Sequence, residues 1–226
     1  MTVVLAAHGS PDPRHAAVME DLRAAVEADL GDTRLGWLGH HTPDLPTVVS
    51  EALSTDPDTV VVPLLLAPAF HARVDVPAGA AEARIAAVLA PDERLLDLLD
   101  LRLGEALDRP PTGLILAAAG STDPAADRLV RSVAQSWGSR HALPVAVAYA
   151  SEPTTIAEAV SSLSTLGPDV FGVGAFFLAP GRLHDVVCGF AGESVVVTEP
   201  LGAHPLIADI VVDRATLALA QPVLRG

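Results

Sequence analysis

A nine-residue stretch occurs twice in this chain. Leu5-Ala6-Ala7-His8-Gly9-Ser10-Pro11-Asp12-Pro13 returns as Leu116-Ala117-Ala118-Ala119-Gly120-Ser121-Thr122-Asp123-Pro124, and seven of the nine positions agree. Leu66-Ala67-Pro68 likewise answers Leu178-Ala179-Pro180, and Pro46-Thr47 answers Pro153-Thr154. Matches that recur in one order at a nearly constant offset indicate one structural unit made twice. The 226 residues therefore read as two tandem domains, 1–110 and 111–226, joined at Arg109-Pro110-Pro111-Thr112. The copies are unequal, because His8 of the first is Ala119 in the second. This predicts one active site per chain, with the second half as scaffold and opposite pocket wall.

Within each half, apolar runs alternate with helical spacing. Residues 3–6 form an apolar run without alternation, as in a parallel strand buried on both faces. Val18, Leu22, Val26 and Leu30 then recur at helical spacing before Gly31. Further strands are expected at 34–38, 59–66 and 94–98, and helices at 47–53, 77–89 and 101–107. Pro63 predicts a strand end or a bulge, since it removes a ladder donor. The second half predicts strands at 113–118, 145–149, 170–178 and 195–198, with helices at 124–137, 153–163, 182–190 and 205–219. The fold class is α/β: two domains, each a small parallel sheet flanked by helices on both faces, with a cleft between them. Ligands of such sheets bind beyond the carboxyl ends of the strands. His8 follows the first strand, His40 and His41 the second, and His71 the third, so four imidazoles are expected at one edge.

Composition narrows the function classes. A chain that is 50% hydrophobic but only 4% aromatic must build its core from Ala, Val and Leu. The longest apolar stretch, Val60 to Phe70, contains two prolines and is too short to span a bilayer. With no signal-peptide pattern at the start, a cytoplasmic protein is expected. The single cysteine, Cys188, excludes an internal disulfide and is expected to be buried without a His partner. The net charge is −14 and every basic residue is Arg, which argues against nucleic acid and anionic membranes as partners. No G-x-S-x-G elbow surrounds Ser10, and neither a P-loop nor a G-x-G-x-x-G is present, which excludes common hydrolase and nucleotide-binding designs.

One family brings these features together. A first strand ending in His8-Gly9-Ser10, followed by a run in which Pro63, Leu66, His71, Asp75 and Pro77 hold a fixed pattern, resembles the class II chelatases of the CbiX/SirB type. Residues 176–185 resemble a degenerate copy of that run, and residues 200–206 the family's closing element. The resemblance covers nearly the whole chain. It implies a lyase that inserts a divalent metal (Co²⁺, Fe²⁺ or Ni²⁺) into sirohydrochlorin, for sirohaem or cobalamin, without ATP or any further cofactor. It also implies that His8 and His71 are the catalytic pair and metal ligands. The family commonly carries a Glu after the second strand, and here Gly39 stands in its place. Either His40 or His41 is then a replacement ligand, or the site works with two. Ser10, Arg14, Arg73 and Arg182 are the candidates for holding the carboxylate-rich tetrapyrrole. Asp75 either orients His71 or caps the following helix. His15, His141 and His204 are expected at the surface or at helix ends. Neutral imidazole is a suitable donor for these metals, and it titrates near neutrality, so it also serves as a base. A monomer is expected, since the duplication supplies both halves of a cleft. The alternative is a non-catalytic tetrapyrrole- or metal-binding protein that kept the fold.

Overall fold

The computed structural model describes residues 1–152 and 154–221; Pro153, expected to open a helix, and residues 222–226 lie outside the described residues. The chain forms two compact units. The first comprises residues 1–90 together with 203–226, and the second residues 91–202.

In the first unit β1 (Val3–Ala7) lies between β2 (Thr33–Trp37) and β3 (Val60–Pro63), and β3 carries β4 (Arg84–Ile85) on its far edge. All these pairings are parallel, and Pro63 ends its strand. In the second unit β5 (Gly113–Ala118), β6 (Val145–Tyr149), β7 (Phe171–Ala175) and β8 (Val195–Val197) repeat the arrangement, in the order β6-β5-β7-β8. The central strands are apolar at every position because both sheet faces are covered. Val4, Ala6 and Val61 pack on α2 (Leu45–Thr55) and the short α3 (Val76–Gly79). In the second unit Ile115, Ala117 and Val173 pack on α6 (Thr154–Ser164) and α7 (Arg182–Cys188). Each such Val, Leu or Ile contributes about 1.5–3 kcal/mol by leaving water.

Two helices remain for each unit, and here the repeat and the packing part company. The first unit takes α1 (Pro13–Leu30) and α8 (Pro205–Ala220), while the second takes α4 (Glu93–Ala106) and α5 (Pro124–His141). The last helix of each repeat thus belongs to the other repeat's unit. The compact units are not the contiguous halves 1–110 and 111–226, because packing divides the chain after residues 90 and 202. The same device fixes both exchanged helices. Arg102 of α4 donates to the carbonyls of Pro200 and Leu201, both at 3.1 Å. Arg214 of α8 donates to those of Val88 and Leu89, at 3.0 and 2.9 Å. Room for α4 comes from β7, where a Cβ on Gly172 would stand 2.5 Å from Leu103 Cδ1 and one on Gly174 3.0 Å from Leu99 Cδ2.

Two local expectations are corrected. Residues 94–98, expected as a strand, lie inside α4. Leu95, Leu96, Leu98, Leu99 and Leu103 recur at helical spacing and are buried, and Asp92 caps the helix by accepting from the Arg94 backbone. Residues 77–89, expected as a helix, leave the helical conformation early. Ala81 takes a left-handed φ of 48°, and Arg84–Ile85 then pairs with β3. Among the described residues no helix is long and apolar enough to cross a membrane.

Carboxylates hold α4 to α5: Arg140 donates to Asp97 at 2.6 Å and to Glu93 at 3.0 Å, and Asp100 gathers three donors. Asp100 accepts from Trp137 Nε1 at 2.7 Å, His141 Nε2 at 2.7 Å and Arg140 at 3.1 Å. Burial pushes the Asp100 carboxyl up, but the hydrogen bonds from His141, Trp137 and Arg140 outweigh burial and leave its pKa below the ordinary value. A carboxyl depressed by folding stabilises above its unfolded pKa, and that contribution is lost as pH falls through the folded one. Asp100→Asn is therefore expected to cost about 1–3 kcal/mol at pH 7. In urea unfolding across pH, the gap to wild type should close below about pH 4; a gap independent of pH would show that the charge of Asp100 does not hold α4.

Candidate active site

Parallel pairing delivers the ends of β1, β2 and β3 to one edge of the first sheet. β1 gives way to His8-Gly9-Ser10. Gly9 has a φ of 85°, and a Cβ there would lie 1.9 Å from the Gly39 carbonyl oxygen, so the loops after β1 and β2 touch through backbone. The Leu38 amide donates to the Ala7 carbonyl at 2.8 Å and continues the ladder. Asp12 caps α1 by accepting from the Arg14 backbone amide at 2.9 Å. After β3 the chain runs to a π-helical turn at His71–Asp75, a wide turn that recurs at functional sites.

These two segments bring His8 and His71 together. Their Nε2 atoms stand 2.9 Å apart, with ring centroids 4.2 Å apart and planes at 84°. Each Nδ1 already has a partner that can only accept. His8 Nδ1 donates to the Gly9 carbonyl at 2.8 Å, and His71 Nδ1 donates to the Asp75 carboxylate at 2.5 Å. Those bonds assign the ring protons to Nδ1 and leave a lone pair on each Nε2. Two lone pairs facing across 2.9 Å repel unless a cation lies between them. A single proton shared as N–H···N, or a metal ion, satisfies the pair. Asp75 makes no capping hydrogen bond, so of its two expected roles the structure displays the bond to His71.

The other candidates are placed as follows. His40 is exposed, holds a left-handed φ of 65°, and has its ring centroid 6.5 Å from that of His8. His41 turns away, donating from Nε2 to the Ser10 carbonyl at 2.7 Å and packing 4.6 Å from Trp37. Among the described residues no group of three or more His, Cys, Asp or Glu side chains is gathered to hold a metal. The Ser10 hydroxyl accepts from the Asp12 amide. Arg14 is exposed and bonds the Asp12 carboxylate, with Nη2 at 2.6 Å. Arg73 is exposed on the π turn, with Nε on the Pro68 carbonyl at 3.1 Å. Arg182 opens α7 in the other unit, exposed.

His15 sits in the first turn of α1, at a helix end as expected, but half-buried: its Nδ1 is buried without a hydrogen-bond partner, and its ring is 6.2 Å from Trp37. Burial, with neighbouring His8 and His41, holds its pKa below the ordinary value. The available signal was its place three residues after the Asp12 cap, in the first turn of the helix that follows the β1 loop. His141 and His204 are helix-end residues: His141 closes α5 on Asp100, and His204 caps α8 by accepting from the Leu206 amide at 3.2 Å. Cys188 corrects an expectation. It is exposed, and its Sγ lies 3.5 Å from Nε2 of His184, one helical turn earlier on α7. His184 itself is buried, with Nε2 3.2 Å from the Thr198 carbonyl oxygen.

A family model described as CbiX matches residues 2–106 and 113–218. The chain belongs to the CbiX family. The two matched segments are the two repeats, and the resemblance read from the motifs is borne out. The chain is 31% identical over 137 residues to the sirohydrochlorin cobaltochelatase of Methanothermobacter thermautotrophicus, covering 95% of that protein and 49% of this one. Its fold is similar to the sirohydrochlorin chelatase SirB from Bacillus subtilis subspecies spizizenii in complex with cobalt. That likeness has a TM-score of 0.81 at 18% identity, over 98% of this chain and 97% of that one. SirB from Bacillus subtilis with Fe³⁺ gives a TM-score of 0.77 at 20% identity, over 97% and 96%. The α/β architecture of two four-stranded parallel sheets is thus the architecture of these CbiX-family relatives.

The contact between the β1 and β2 loops can be tested in isolation. Gly9→Ala forces a Cβ into backbone at a left-handed φ and is expected to cost more than about 2 kcal/mol. Gly39→Ala meets only the His8 carbonyl oxygen, at 3.8 Å, and should stay within about 0.5 kcal/mol of wild type. Equal losses in denaturant titrations of the two variants would refute this account of the loops.

Proposed function

We propose that this CbiX-family protein inserts a divalent metal into sirohydrochlorin, with His8 and His71 as the residues that carry the metal and take up the displaced protons. The observation that supports this most is the pair of facing Nε2 atoms at 2.9 Å, each with its Nδ1 already bonded. Imidazole nitrogens suit Co²⁺, Fe²⁺ or Ni²⁺, and a site with only these two side-chain ligands leaves positions for water and the incoming macrocycle.

The protons balance. A divalent ion entering the macrocycle displaces two pyrrole N–H protons, and no electron changes hands. As the ion leaves the pair, two Nε2 lone pairs become free, one for each proton. The two imidazolium rings then repel at this distance, so one proton passes to solvent, which the exposed His8 ring already meets. The other bridges the pair until the next metal displaces it. The Asp75 carboxylate holds His71 in the required tautomer and makes its Nε2 the better donor.

A second reading has one observation in its favour: no third ligating side chain is gathered beside the pair among the described residues. That would suit a protein that binds the pigment or the metal without turnover. Anaerobic assays with sirohydrochlorin and Co²⁺, Fe²⁺ or Ni²⁺ separate the two. Multiple-turnover acceleration over the blank supports the chelatase, and tight binding without turnover supports the carrier. His8→Ala and His71→Ala should abolish insertion with the fold unchanged, since both rings lie outside the core. Asp75→Asn should lower metal affinity about 10- to 100-fold. Near-wild-type turnover in either histidine variant would remove that residue from the pair.

A further inference from the structure

The segment that presents His71 also presents an aromatic ring to solvent. Phe70 is 60% exposed, whereas the other aromatic side chains are buried or half-buried. Val74, four residues later, is 46% exposed, and on a helical turn this spacing puts the two side chains on one face. Scattered exposed apolar residues need no explanation. This pair brackets His71 in sequence, however, and the Phe70 ring lies edge-on to the His71 ring with centroids 6.0 Å apart and planes at 84°. Phe70 has helical φ and ψ of −48° and −49°, so it is held at the start of the turn whose next residue bonds Asp75.

We propose that Phe70, extended by Val74, is the apolar platform against which the tetrapyrrole plane rests while the metal passes from the histidines. The inference rests on the chelatase reading. A metal leaving the two Nε2 atoms for the centre of a planar macrocycle requires that the macrocycle come up against that side of the pair. A tetrapyrrole is wider than a pair of imidazoles, so its rim overhangs the neighbouring residues. A flat conjugated face is recognised by aromatic and aliphatic surface, and its carboxylate rim by cations such as Arg73 on the same turn. Phe70 is therefore a positioning residue for the organic substrate and has no part in holding the metal.

The test uses the full chain and two separate titrations, one with metal-free sirohydrochlorin followed by the pigment's absorption and fluorescence, and one with Co²⁺ alone. Phe70→Ala should weaken pigment binding about tenfold, and Phe70→Trp should restore it. Co²⁺ binding and the melting temperature should match wild type in both variants, because the ring is exposed and bonds nothing. In turnover, KM for the pigment should rise while kcat holds at saturation. Pigment binding by Phe70→Ala within about twofold of wild type, with wild type active, would overturn the platform and leave the chelatase reading standing. Loss of Co²⁺ binding in Phe70→Ala would also overturn it, since Phe70 would then act through His71. Failure of wild type to bind the pigment at all would overturn both.

Discussion

Everything at the site depends on β1 being paired on both sides by parallel strands. Val3 to Ala7 is in register with Thr33 to Trp37 on one side, and Val3 to Ala6 with Val60 to Pro63 on the other. Parallel strands share one carboxyl edge, so the three loops that follow them start as neighbours. The core sets the register, because a slip of one residue would turn Val4 and Ala6 away from α2. His8 is therefore placed by buried valines and alanines that never meet a ligand. His71 is placed less directly, eight residues beyond the end of β3, and the bond to Asp75 within the π turn supplies the rigidity that the sheet does not.

The second unit repeats the scaffold. Gly120 repeats Gly9, with a φ of 95°, and Asp123 repeats Asp12 as the cap of the next helix. What changes is the chemistry at the strand ends. Ala119 offers no imidazole. Tyr149 ends β6 in register with Ala118, as Trp37 ends β2 in register with Ala7. Its hydroxyl donates to Asp127 in a short hydrogen bond. Burial and that carboxylate push the tyrosine up to about 12. His184 is turned into the interior against the Thr198 carbonyl. Polar groups at this edge are thus matched to one another, whereas the first unit leaves two lone pairs facing and the His15 Nδ1 unpartnered. Unmatched polar groups are tolerated in a fold only at a cost, and they concentrate here in one repeat.

Much of this was legible in the sequence, for stated reasons. Apolar strands without alternation, each followed by a helix, imply a parallel sheet, and a parallel sheet implies one functional edge. That logic placed His8, His40, His41 and His71 at one edge, the lost imidazole in the repeat pointed to His8, and the family resemblance singled out His8 with His71 as the pair. The exchange of α4 and α8 was not legible, since a helix carries no local mark of the sheet on which it packs. Residues 94–98 misled because their leucines are too dense for five residues to tell a period of two from one of 3.6; the period emerges only with Leu99 and Leu103 included. The π turn at His71–Asp75 has no signature in composition. The helix-end place of His15 was legible, but its half-burial beside Trp37 was not, since that contact crosses from α1 to β2.

If His8 and His71 carry the metal, as proposed above, the charge of the pair bears on how the site lets go. An ion held by carboxylates has its charge compensated before the macrocycle arrives, and transfer then separates opposite charges. Two neutral imidazoles leave most of the ion's charge uncompensated, and the deprotonating macrocycle supplies four nitrogens and two negative charges at once. The gradient runs from the protein to the pigment. Gly39 places no carboxylate beside His8, and the carboxylate of Asp75 reaches the pair only through the far nitrogen of His71. There it strengthens the donor without becoming a ligand that must be broken from the metal. In an otherwise strongly acidic chain, with a formal net charge of −14, the proposed pair would draw a divalent ion through the general field and, with no carboxylate among its ligands, would still surrender it.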